Sequence, residues 1–479
     1  MSAGVCPAPS FVPGSYRDRS ARVFVAGDQV LRGLTAEAAD VWQRLQPSGF
    51  WQQLTAAGQV VPTWESAAHQ AWASAHGYSL VLQHERVPEL SWPWEWSFSM
   101  LRDAALLQLS LLQRALPAGF DMADATPFNF QFRGANPQLI DTGSLRLRQQ
   151  HGIWEGYRQF CEQFLAPLLL QSWKQVDFQP WLRGRMSGIP LRQLSGLLSW
   201  RDLLFRRGAF THIWLHSRVA AAMQRRGGAE ASASLSTQMI LNNLQGLSTL
   251  LQSLKWNTVD SEWRDYYSTA EHAAAHEAEK SQFVRAACDR VQPQLTWDLG
   301  CNQGRFSRIA AEWGRVLALD ADHAVIERLY CSLTAEPSDS LPRQRITPLV
   351  CNLADPSPAQ GWRLSERGSL ESRSRPQLVL CLALIHHLVI GHGLLLEDVI
   401  GWLAALHAPV VLEWVERTDP IIGSMLQQRR DVFVDYCFAR LQVAVGRYFR
   451  IVAEQSLSGG SRRLLLLQPR DSAVRVQHD

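Results

Sequence analysis

Lysine is scarce in this sequence of 479 residues, and nearly all of its basic charge comes from arginine. Only Lys174, Lys255 and Lys280 are present, and the formal net charge is +3. So small a charge gives no general case for binding nucleic acid or an acidic membrane surface. There is also no basic tail and no interleaving of aromatic with basic residues, so neither RNA nor DNA is indicated as a partner.

Cysteines are few and scattered. Eight are spread over the chain, and no two have the CxxC spacing of zinc sites and redox pairs. We therefore expect no metal site. Most of the cysteines lie in apolar sequence, which favours reduced, buried thiols and a cytoplasmic protein. The stretch from Met1 to Ser20 lacks the apolar segment that secretory signals carry.

Long apolar runs are also rare, and the longest extends from Leu378 to Leu396. It contains His386, His387 and His392 as well as two glycines. A membrane-spanning helix needs roughly 20 apolar residues. The histidines and glycines therefore favour a buried strand followed by a loop, and we expect no membrane partner.

The length of the chain predicts two or three domains. With 46% hydrophobic and 19% charged residues, the composition allows a large core and argues against global disorder. The patterns along the chain predict three parts: an α+β domain over residues 1–150, a helical bridging region over 151–265 and an α/β domain over 266–479. They leave the oligomeric state open.

The most informative stretch lies near residue 300, where an apolar segment, Leu295 to Leu299, is followed by Gly300 and Gly304. A helix-like pattern begins after the second glycine. A strand, a tight loop and a helix start are therefore predicted. Such a loop lets a ligand approach the backbone and the free N–H groups of the helix. The next apolar run ends in Asp320, where an acidic residue usually receives ribose hydroxyls.

Dinucleotides and S-adenosylmethionine (SAM) both bind to loops of this kind, and the details favour SAM. The dinucleotide fingerprint GxGxxG is absent. Asp298, just before the loop, would repel a pyrophosphate but suits the amino group of a methionine moiety. Asn302 lies between the two glycines of the loop, and asparagine tolerates the left-handed conformation better than other non-glycine residues. The alternative is an ordinary strand-to-helix turn that contains two glycines.

Strand patterns alternate with helix patterns through the rest of this half, which predicts a doubly wound sheet. The predicted strands lie at Ile346–Cys351, Leu378–Ile385 and Val410–Leu412, with a closing antiparallel pair at Tyr448–Ala453 and Arg463–Gln468. A helix is expected over Asp431–Leu441, and the polar stretch Pro356–Pro376 is interpreted as an insertion or mobile loop. Before the first strand we predict a helix from Ala270 to Val291, where Tyr267 or His276 either contacts the ligand or packs against the fold.

His386 and His387 stand at the carboxyl end of the strand predicted over Leu378–Ile385. Ligands of parallel sheets bind beyond the carboxyl ends of the strands, so either histidine could face the substrate. An imidazole whose pKa lies near the working pH suits a general base that deprotonates a methyl acceptor. The alternative is that one of them caps the next helix or bonds to the backbone.

Another motif lies in the N-terminal part, where a predicted helix, Ser99 to Leu116, is followed by Asp124, Asn129, a short hairpin and Asp141. This order resembles the catalytic loop and metal-binding aspartate of the protein-kinase-like fold, in which the asparagine and second aspartate hold Mg²⁺. The sequence departs from the kinase pattern at several positions. Met122 replaces the usual histidine two residues before Asp124, and Thr142 replaces the phenylalanine that usually follows the second aspartate. Neither a lysine nor a GxGxxG loop lies upstream. A kinase-like scaffold without phosphotransfer, a coincidental turn and an active phosphotransferase all stay open.

From about Tyr266 to Gln468 the chain resembles the class I SAM-dependent methyltransferases. Trp297 to Gly304, Asp320, and Leu382 to Leu388 carry this resemblance. It implies a Rossmann-like, doubly wound domain of seven strands that binds SAM as cofactor. The residues it implies for the cofactor site are Asp298, Gly300, Asn302, Gly304, Asp320, Ala321, Asn352, Leu353 and Leu384. Asp298 and the loop would hold the methionine part, Asp320 the ribose, and Asn352 with Leu353 the adenine.

The wider arrangement, including Trp94 to Trp96 and Asp124 to Asn129, is similar to bacterial proteins grouped with the rhizobial host-specific nodulation methyltransferases. The reaction implied is an in-line displacement at the sulfonium methyl, in which the protein mainly supplies alignment, and His386 or His387 takes the acceptor proton. The acceptor is unidentified, and a small molecule is favoured over nucleic acid. Two alternatives stay open: an ATP-dependent phosphotransferase, and a SAM-binding scaffold or sensor without turnover.

Overall fold

The computed structural model describes residues 8–148, 154–205, 236–257, 271–427 and 432–470. The chain divides into two compact units. The first unit contains Met1–Arg133, Pro137–Asn257 and Ala359–Gly368, and the second contains Gly134–Asn136, Thr258–Pro358 and Ser369–Asp479. The boundary predicted between residues 265 and 266 lies outside the described residues, so the three-part division stays a prediction.

The first unit contains a five-stranded antiparallel sheet in the order β1-β2-β3-β5-β4. Its strands are β1 Ser10–Phe11, β2 Ala21–Ala26, β3 Gln29–Leu34, β4 Thr63–Glu65 and β5 Leu80–His84. Ala26 pairs with Gln29, so the turn between β2 and β3 has two central residues. Gly27 occupies the first of them with φ +59°, as the type II′ turn requires. Helices α1 Ala36–Leu45, α2 Phe50–Ala56 and α3 Gln70–Ala75 lie between the later strands.

The rest of the first unit is mostly helical. Two small sheets pair β6 Phe120–Met122 with β9 Leu145–Leu147, and β7 Phe130–Arg133 with β8 Asn136–Leu139. The helices are α4 Phe98–Ala115, α5 Tyr157–Phe160, α6 Ala166–Lys174, α7 Gln179–Gly184, α8 Leu191–Leu197, α9 Trp200–Phe205 and α10 Thr237–Ser253. The predicted apolar helix near residues 99–116 is confirmed as α4, and the Ser97 hydroxyl accepts a hydrogen bond from the Met100 amide at its start.

The second unit contains a seven-stranded sheet in the order β12-β11-β10-β13-β14-β16-β15. Its strands are β10 Leu295–Leu299, β11 Arg315–Asp320, β12 Ile346–Val350, β13 Leu378–Cys381, β14 Val410–Val415, β15 Phe449–Ser456 and β16 Arg462–Pro469. The first five are parallel, and β16 pairs antiparallel with both β14 and β15. Every residue of β10, β12, β13 and β14 is buried, as expected for parallel strands covered on both faces.

Helices alternate with these strands, which confirms the predicted α/β architecture. They are α11 Glu271–Val291, α12 Arg305–Ala310, α13 His323–Thr334, α14 Leu341–Arg345, α15 Leu370–Arg373, α16 Leu396–Ala405, α17 Pro420–Gln427 and α18 Phe438–Tyr448. The closing antiparallel pair predicted from the sequence is confirmed as β15 and β16. In the parts of the chain that the structure describes, no helix is long and apolar enough to cross a membrane.

Two predicted elements differ from the structure. The strand predicted over Leu378–Ile385 ends at Cys381, because Ala383 takes φ +49° and leaves the extended path. A helical turn follows, in which the His387 amide donates to the Leu384 carbonyl at 2.9 Å. The helix predicted over Asp431–Leu441 is also misplaced, since it begins at Phe438 and continues to Tyr448. Tyr436, just before it, stacks on Trp414 of β14 and holds the chain out of helical conformation.

Candidate functional site

A cleft in the second unit opens at the carboxyl ends of the parallel strands and has a volume of about 160 Å³. It is lined by Gly300, Asn302, Asp320, Ala321, Asp322, Cys351, Asn352, Leu353, Leu382, Ala383, Leu384, His387, Leu388 and His392. The structure thus brings together eight of the predicted site residues: Gly300, Asn302, Asp320, Ala321, Asn352, Leu353, Leu384 and His387. Three others, Asp298, Gly304 and His386, are not among the lining residues.

Asp320 lies at the carboxyl end of β11, next to β10 in the sheet. One carboxylate oxygen accepts a hydrogen bond from the Asn302 amide and the other accepts one from the Asp322 amide, both at 2.9 Å. Burial raises the pKa of this carboxyl, and the two backbone hydrogen bonds act in the opposite direction. The carboxylate is therefore fixed in position, and each oxygen keeps a lone pair for a hydroxyl group in the cleft.

The loop between β10 and α12 has three residues in the left-handed region: Gly300 at φ +69°, Asn302 at +47° and Gly304 at +75°. The conformation predicted for Asn302 is confirmed. Its side-chain oxygen, Oδ1, is buried and has no hydrogen-bond partner among the described residues. Because a buried unsatisfied acceptor costs about 1–3 kcal/mol, this oxygen is suited to receive a donor from a ligand in the cleft.

Gly304 has a different role from the other residues of the loop. A Cβ atom at this position would lie 2.6 Å from the Cδ1 atom of Leu329 in α13. At Gly300 the nearest atom is the Cδ1 of Leu384, at 3.2 Å. Gly304 therefore permits close packing of the loop against helix α13, whereas Gly300 lies at the cleft.

Asp298, near the end of β10, is only 2% exposed. Its carboxyl accepts a hydrogen bond from the Ser307 hydroxyl of α12 at 2.5 Å. Burial raises its pKa to about 7, with the Ser307 hydroxyl opposing the rise and the charge of Asp320 adding to it. The side chain thus links the strand to the following helix, and it can take up or release a proton near neutral pH.

The two adjacent histidines have different environments. His386 is 0% exposed, and both of its ring nitrogens lack hydrogen-bond partners within the described part of the chain. Burial lowers its pKa well below the ordinary value, and the positive charges of Arg462 and Lys280 contribute. His387 lines the cleft, and burial followed by the charge of His392 lowers its pKa to about 4. Both imidazoles are therefore neutral at neutral pH.

A buried group of charges surrounds Glu413 of β14. Glu413 is 0% exposed, and one of its oxygens bonds to Lys280 Nζ at 2.8 Å and to Arg462 at 3.1 Å. Arg462 also pairs with Asp419 at 2.9 Å. These pairs connect helix α11 to strands β14 and β16. No sequence pattern indicates these pairs, since the partners lie at least 43 residues apart along the chain.

The sequence pattern also missed Leu382, Ala383, Leu388, His392, Cys351 and Asp322 as lining residues. Asp322 could have been found, because an aspartate two residues beyond a strand suits a helix N-cap, and its side chain does accept from the Ala324 and Val325 amides. The position of Ala383 could not have been found in this way, since alanine carries no signal for a positive φ.

His276 accepts a hydrogen bond from the Gly459 amide at 2.9 Å, which favours its interpretation as a packing residue. Tyr267 lies outside the described residues.

In the first unit the structure brings Asp124, Asn129 and Asp141 near one another. The Asn129 side chain donates to the Asp124 carbonyl at 3.3 Å, and burial together with the charge of Asp141 raises the pKa of the Asp124 carboxyl. Asp141 forms an ion pair with Arg32 of β3. Among the residues described, no group of three or more acidic, histidine or cysteine side chains could hold a metal ion.

The chain is similar to the nodulation protein NoeA of Rhizobium meliloti (strain 1021), with 31% identity over 469 residues, or 96% of each chain. No protein-family model matches it. Among solved structures, it matches magnesium protoporphyrin IX methyltransferase from Synechocystis PCC 6803 with bound SAH, at 17% identity and a TM-score of 0.30, over 43% of this chain and 92% of that one. It also matches the PH0226 protein from Pyrococcus horikoshii OT3, at 11% identity and a TM-score of 0.31, over 44% and 100%. Structural similarity at this level does not determine what the chain binds.

Proposed function

The chain belongs to the family of the nodulation protein NoeA, and we propose that it is a SAM-dependent methyltransferase whose second unit binds the cofactor. The identity of 31% over 96% of each chain confirms the resemblance to nodulation proteins that is predicted from the sequence. When bound, SAM would supply an electrophilic methyl group: a nucleophile on the acceptor would bond to the methyl carbon as the carbon–sulfur bond breaks, and S-adenosylhomocysteine would leave. The protein then has to bind the cofactor, align the acceptor and receive a proton.

The observation that carries this proposal is the position of Asp320 in the cleft. Its two oxygens are fixed by backbone amides on either side, at the carboxyl end of a strand adjacent to the glycine-containing loop. A ribose presents two neighbouring hydroxyl donors, and a fixed carboxylate with two free lone pairs matches them. Ala321, which follows Asp320, lines the same part of the cleft.

Other residues of the cleft fit the remaining parts of SAM. The unpartnered Oδ1 of Asn302 is placed to accept from the methionine amino group. The side chain of Asn352 can accept from the adenine amine, while Leu353 and Leu384 provide apolar surface for the ring. We assign Asp298 a supporting role, in which it holds the start of α12 through Ser307 from behind the loop.

Between the two histidines, we propose His387 as the residue that receives the acceptor proton. It lines the cleft, whereas His386 is fully buried outside it. Burial and the charge of His392 lower its pKa to about 4, so the ring is neutral rather than cationic at neutral pH. So weak a base suits an acceptor that becomes acidic as the methyl group is transferred, such as an amine or a hydroxyl.

The acceptor is proposed to be a small molecule, and the cytoplasmic location expected from the cysteine pattern stays a prediction. None of the seven cysteines among the described residues forms a disulfide bond. For the first unit we propose no phosphotransfer, because Arg32 already pairs with Asp141, the aspartate that the kinase-like resemblance assigns to Mg²⁺. The kinase-like resemblance itself stays a prediction.

Calorimetric titration of the full-length protein with SAM tests the proposal directly, with Asp320→Ala as the informative variant. Hydrogen bonds to a charged group contribute about 1.5–3 kcal/mol, so the substitution should weaken binding roughly 10- to 150-fold. Asp339→Ala is the matched control, because Asp339 is an exposed aspartate of the same unit outside the cleft. Equal SAM affinity in the wild type and Asp320→Ala would remove the basis for the proposal, as would the absence of SAM binding to the wild type.

A further inference from the structure

A second pocket of the same unit has a volume of about 250 Å³ and is lined by Gln303, Arg308, Arg328, Leu329 and Ser332. It lies between α12, α13 and the loop that contains Gln303. None of these residues lines the cleft described above. The pocket is therefore a separate feature, and its polar lining contains two arginines and no carboxylate.

Arg328 of α13 is the unusual member of this pocket. Its Nε and Nη2 atoms are buried and have no hydrogen-bond partner among the described residues. These two nitrogens form one edge of the guanidinium, and their parallel N–H groups match the spacing of two oxygens on a phosphate or carboxylate. A buried guanidinium edge without an acceptor is costly, since each donor has lost its hydrogen bonds to water.

The other charged groups around the pocket are already paired. Arg308 forms an ion pair with Glu336 and donates to the Ser332 hydroxyl at 2.9 Å. The second oxygen of Glu336 accepts from the Ser340 hydroxyl at 2.8 Å. Glu336 therefore balances the charge of Arg308, and the charge of Arg328 is left without a counterion in the pocket.

We propose that this pocket binds an oxyanion of the phosphate class, which Arg328 holds through its Nε and Nη2 atoms, with the Gln303 amide as a further donor. Because both nitrogens are buried, binding requires the Arg328 side chain to turn them toward the pocket. The pocket volume of about 250 Å³ is sufficient for a phosphate group. The group can be free phosphate or the phosphate of a small organic monoester.

Titration of the full-length protein with inorganic phosphate, glycerol 3-phosphate, acetate and chloride at constant ionic strength tests the proposal. We expect saturable binding of phosphate, at least tenfold weaker in Arg328→Gln and intermediate in Arg328→Lys, which keeps the charge but loses the planar edge. Arg447→Gln is the matched control, because Arg447 is exposed and forms a surface pair with Glu397. Its phosphate affinity should equal that of the wild type.

Glycerol 3-phosphate distinguishes the two sources of the anion. If it binds at least tenfold more tightly than inorganic phosphate, the natural ligand is a phosphate monoester. If the two affinities are equal, the ligand is free phosphate. Hydrogen exchange of the wild type provides a readout that does not depend on a variant, since phosphate should slow exchange within His323–Thr334. The proposal is overturned if no phosphate compound saturates the wild type, if chloride binds as well as phosphate, or if Arg328→Gln leaves the affinity unchanged. None of these measurements requires SAM.

Discussion

Asp298 allows a quantitative test of the structure, because its buried carboxyl makes the stability of the second unit depend on pH. Its pKa is raised from 3.8 to about 7, mainly by burial. Below about pH 4 the carboxyl is protonated in both the folded and the unfolded chain. Between about pH 4 and 7 the unfolded chain releases this proton while the folded chain keeps it, so the free energy of unfolding falls as the pH rises.

The size of this effect follows from the two pKa values. A rise from 3.8 to about 7 is equivalent to about 4 kcal/mol, at roughly 1.4 kcal/mol for each pKa unit. Between pH 5 and 7 the expected loss is about 2 kcal/mol, because the folded carboxyl itself begins to ionise as the pH approaches 7. Asp298→Asn has no proton to lose, and its side-chain oxygen can still accept from the Ser307 hydroxyl, so this component of the pH dependence should disappear.

Hydrogen exchange at Leu295–Leu299, measured by mass spectrometry between pH 5 and 8 and corrected for intrinsic rates, reports the opening free energy of this strand. A site-resolved method is preferable because a chain of two units need not unfold in one step. Relative to Asp298→Asn, the opening free energy of the wild type should fall by about 2 kcal/mol from pH 5 to 7. Parallel pH profiles for the two proteins would show that the carboxyl is not buried as the structure places it.

The same variant also distinguishes two roles of Asp298 in SAM binding. If the carboxylate neutralised the methionine amino group, binding would expel its proton, and SAM affinity would increase with pH up to about 7 in the wild type alone. In the supporting role that we propose, the pH dependence of SAM affinity is the same in the wild type and Asp298→Asn. Calorimetry in buffers of different ionisation enthalpy measures the released proton directly.

Two further substitutions follow from the loop and the histidines. Gly304→Ala should lower the free energy of unfolding by about 2–4 kcal/mol, because alanine disfavours the left-handed backbone and its Cβ atom would meet Leu329. Gly423→Ala is the control, since an added Cβ there would have no neighbouring atom of the described residues within 4 Å. Equal urea midpoints for the two variants would contradict this account. His387→Ala should lower transfer of labelled methyl groups to a fractionated cell extract roughly 10²- to 10⁴-fold with unchanged SAM affinity. Full turnover in His387→Ala would refute its assignment as the base.

Much of the second unit could be predicted because its signals are local. Buried parallel strands appear in the sequence as continuous apolar runs, as in Leu295–Leu299. Glycine and polar residues, such as Gly300 and Asn302, mark where such a run ends. The positive φ predicted for Asn302 is observed, because few residues other than glycine tolerate it. Asp298 and Asp320 mark the ends of two successive apolar runs, and these runs form the neighbouring parallel strands β10 and β11.

The features that could not be predicted depend on contacts between distant parts of the chain. Glu413 pairs with Lys280 and Arg462, and no sequence pattern links three positions so far apart. The unpaired edge of Arg328 is likewise visible only once the neighbours of α13 are known. The polar stretch Pro356–Pro376, interpreted as an insertion or mobile loop, contains residues that belong to the first unit, where Glu366 accepts a hydrogen bond from Arg17 at 2.8 Å.

The two histidines show why residue type and position along a strand do not suffice to choose a base. Had the strand continued to Ile385, the histidines that follow would have pointed to opposite faces by simple alternation. Ala383 instead takes a left-handed conformation, which for a non-glycine residue costs about 1–2 kcal/mol and persists only where the surroundings enforce it. This residue lines the cleft, and the helical turn after it buries His386 while leaving His387 at the opening. The strained backbone at Ala383 therefore helps to determine which imidazole lines the cleft.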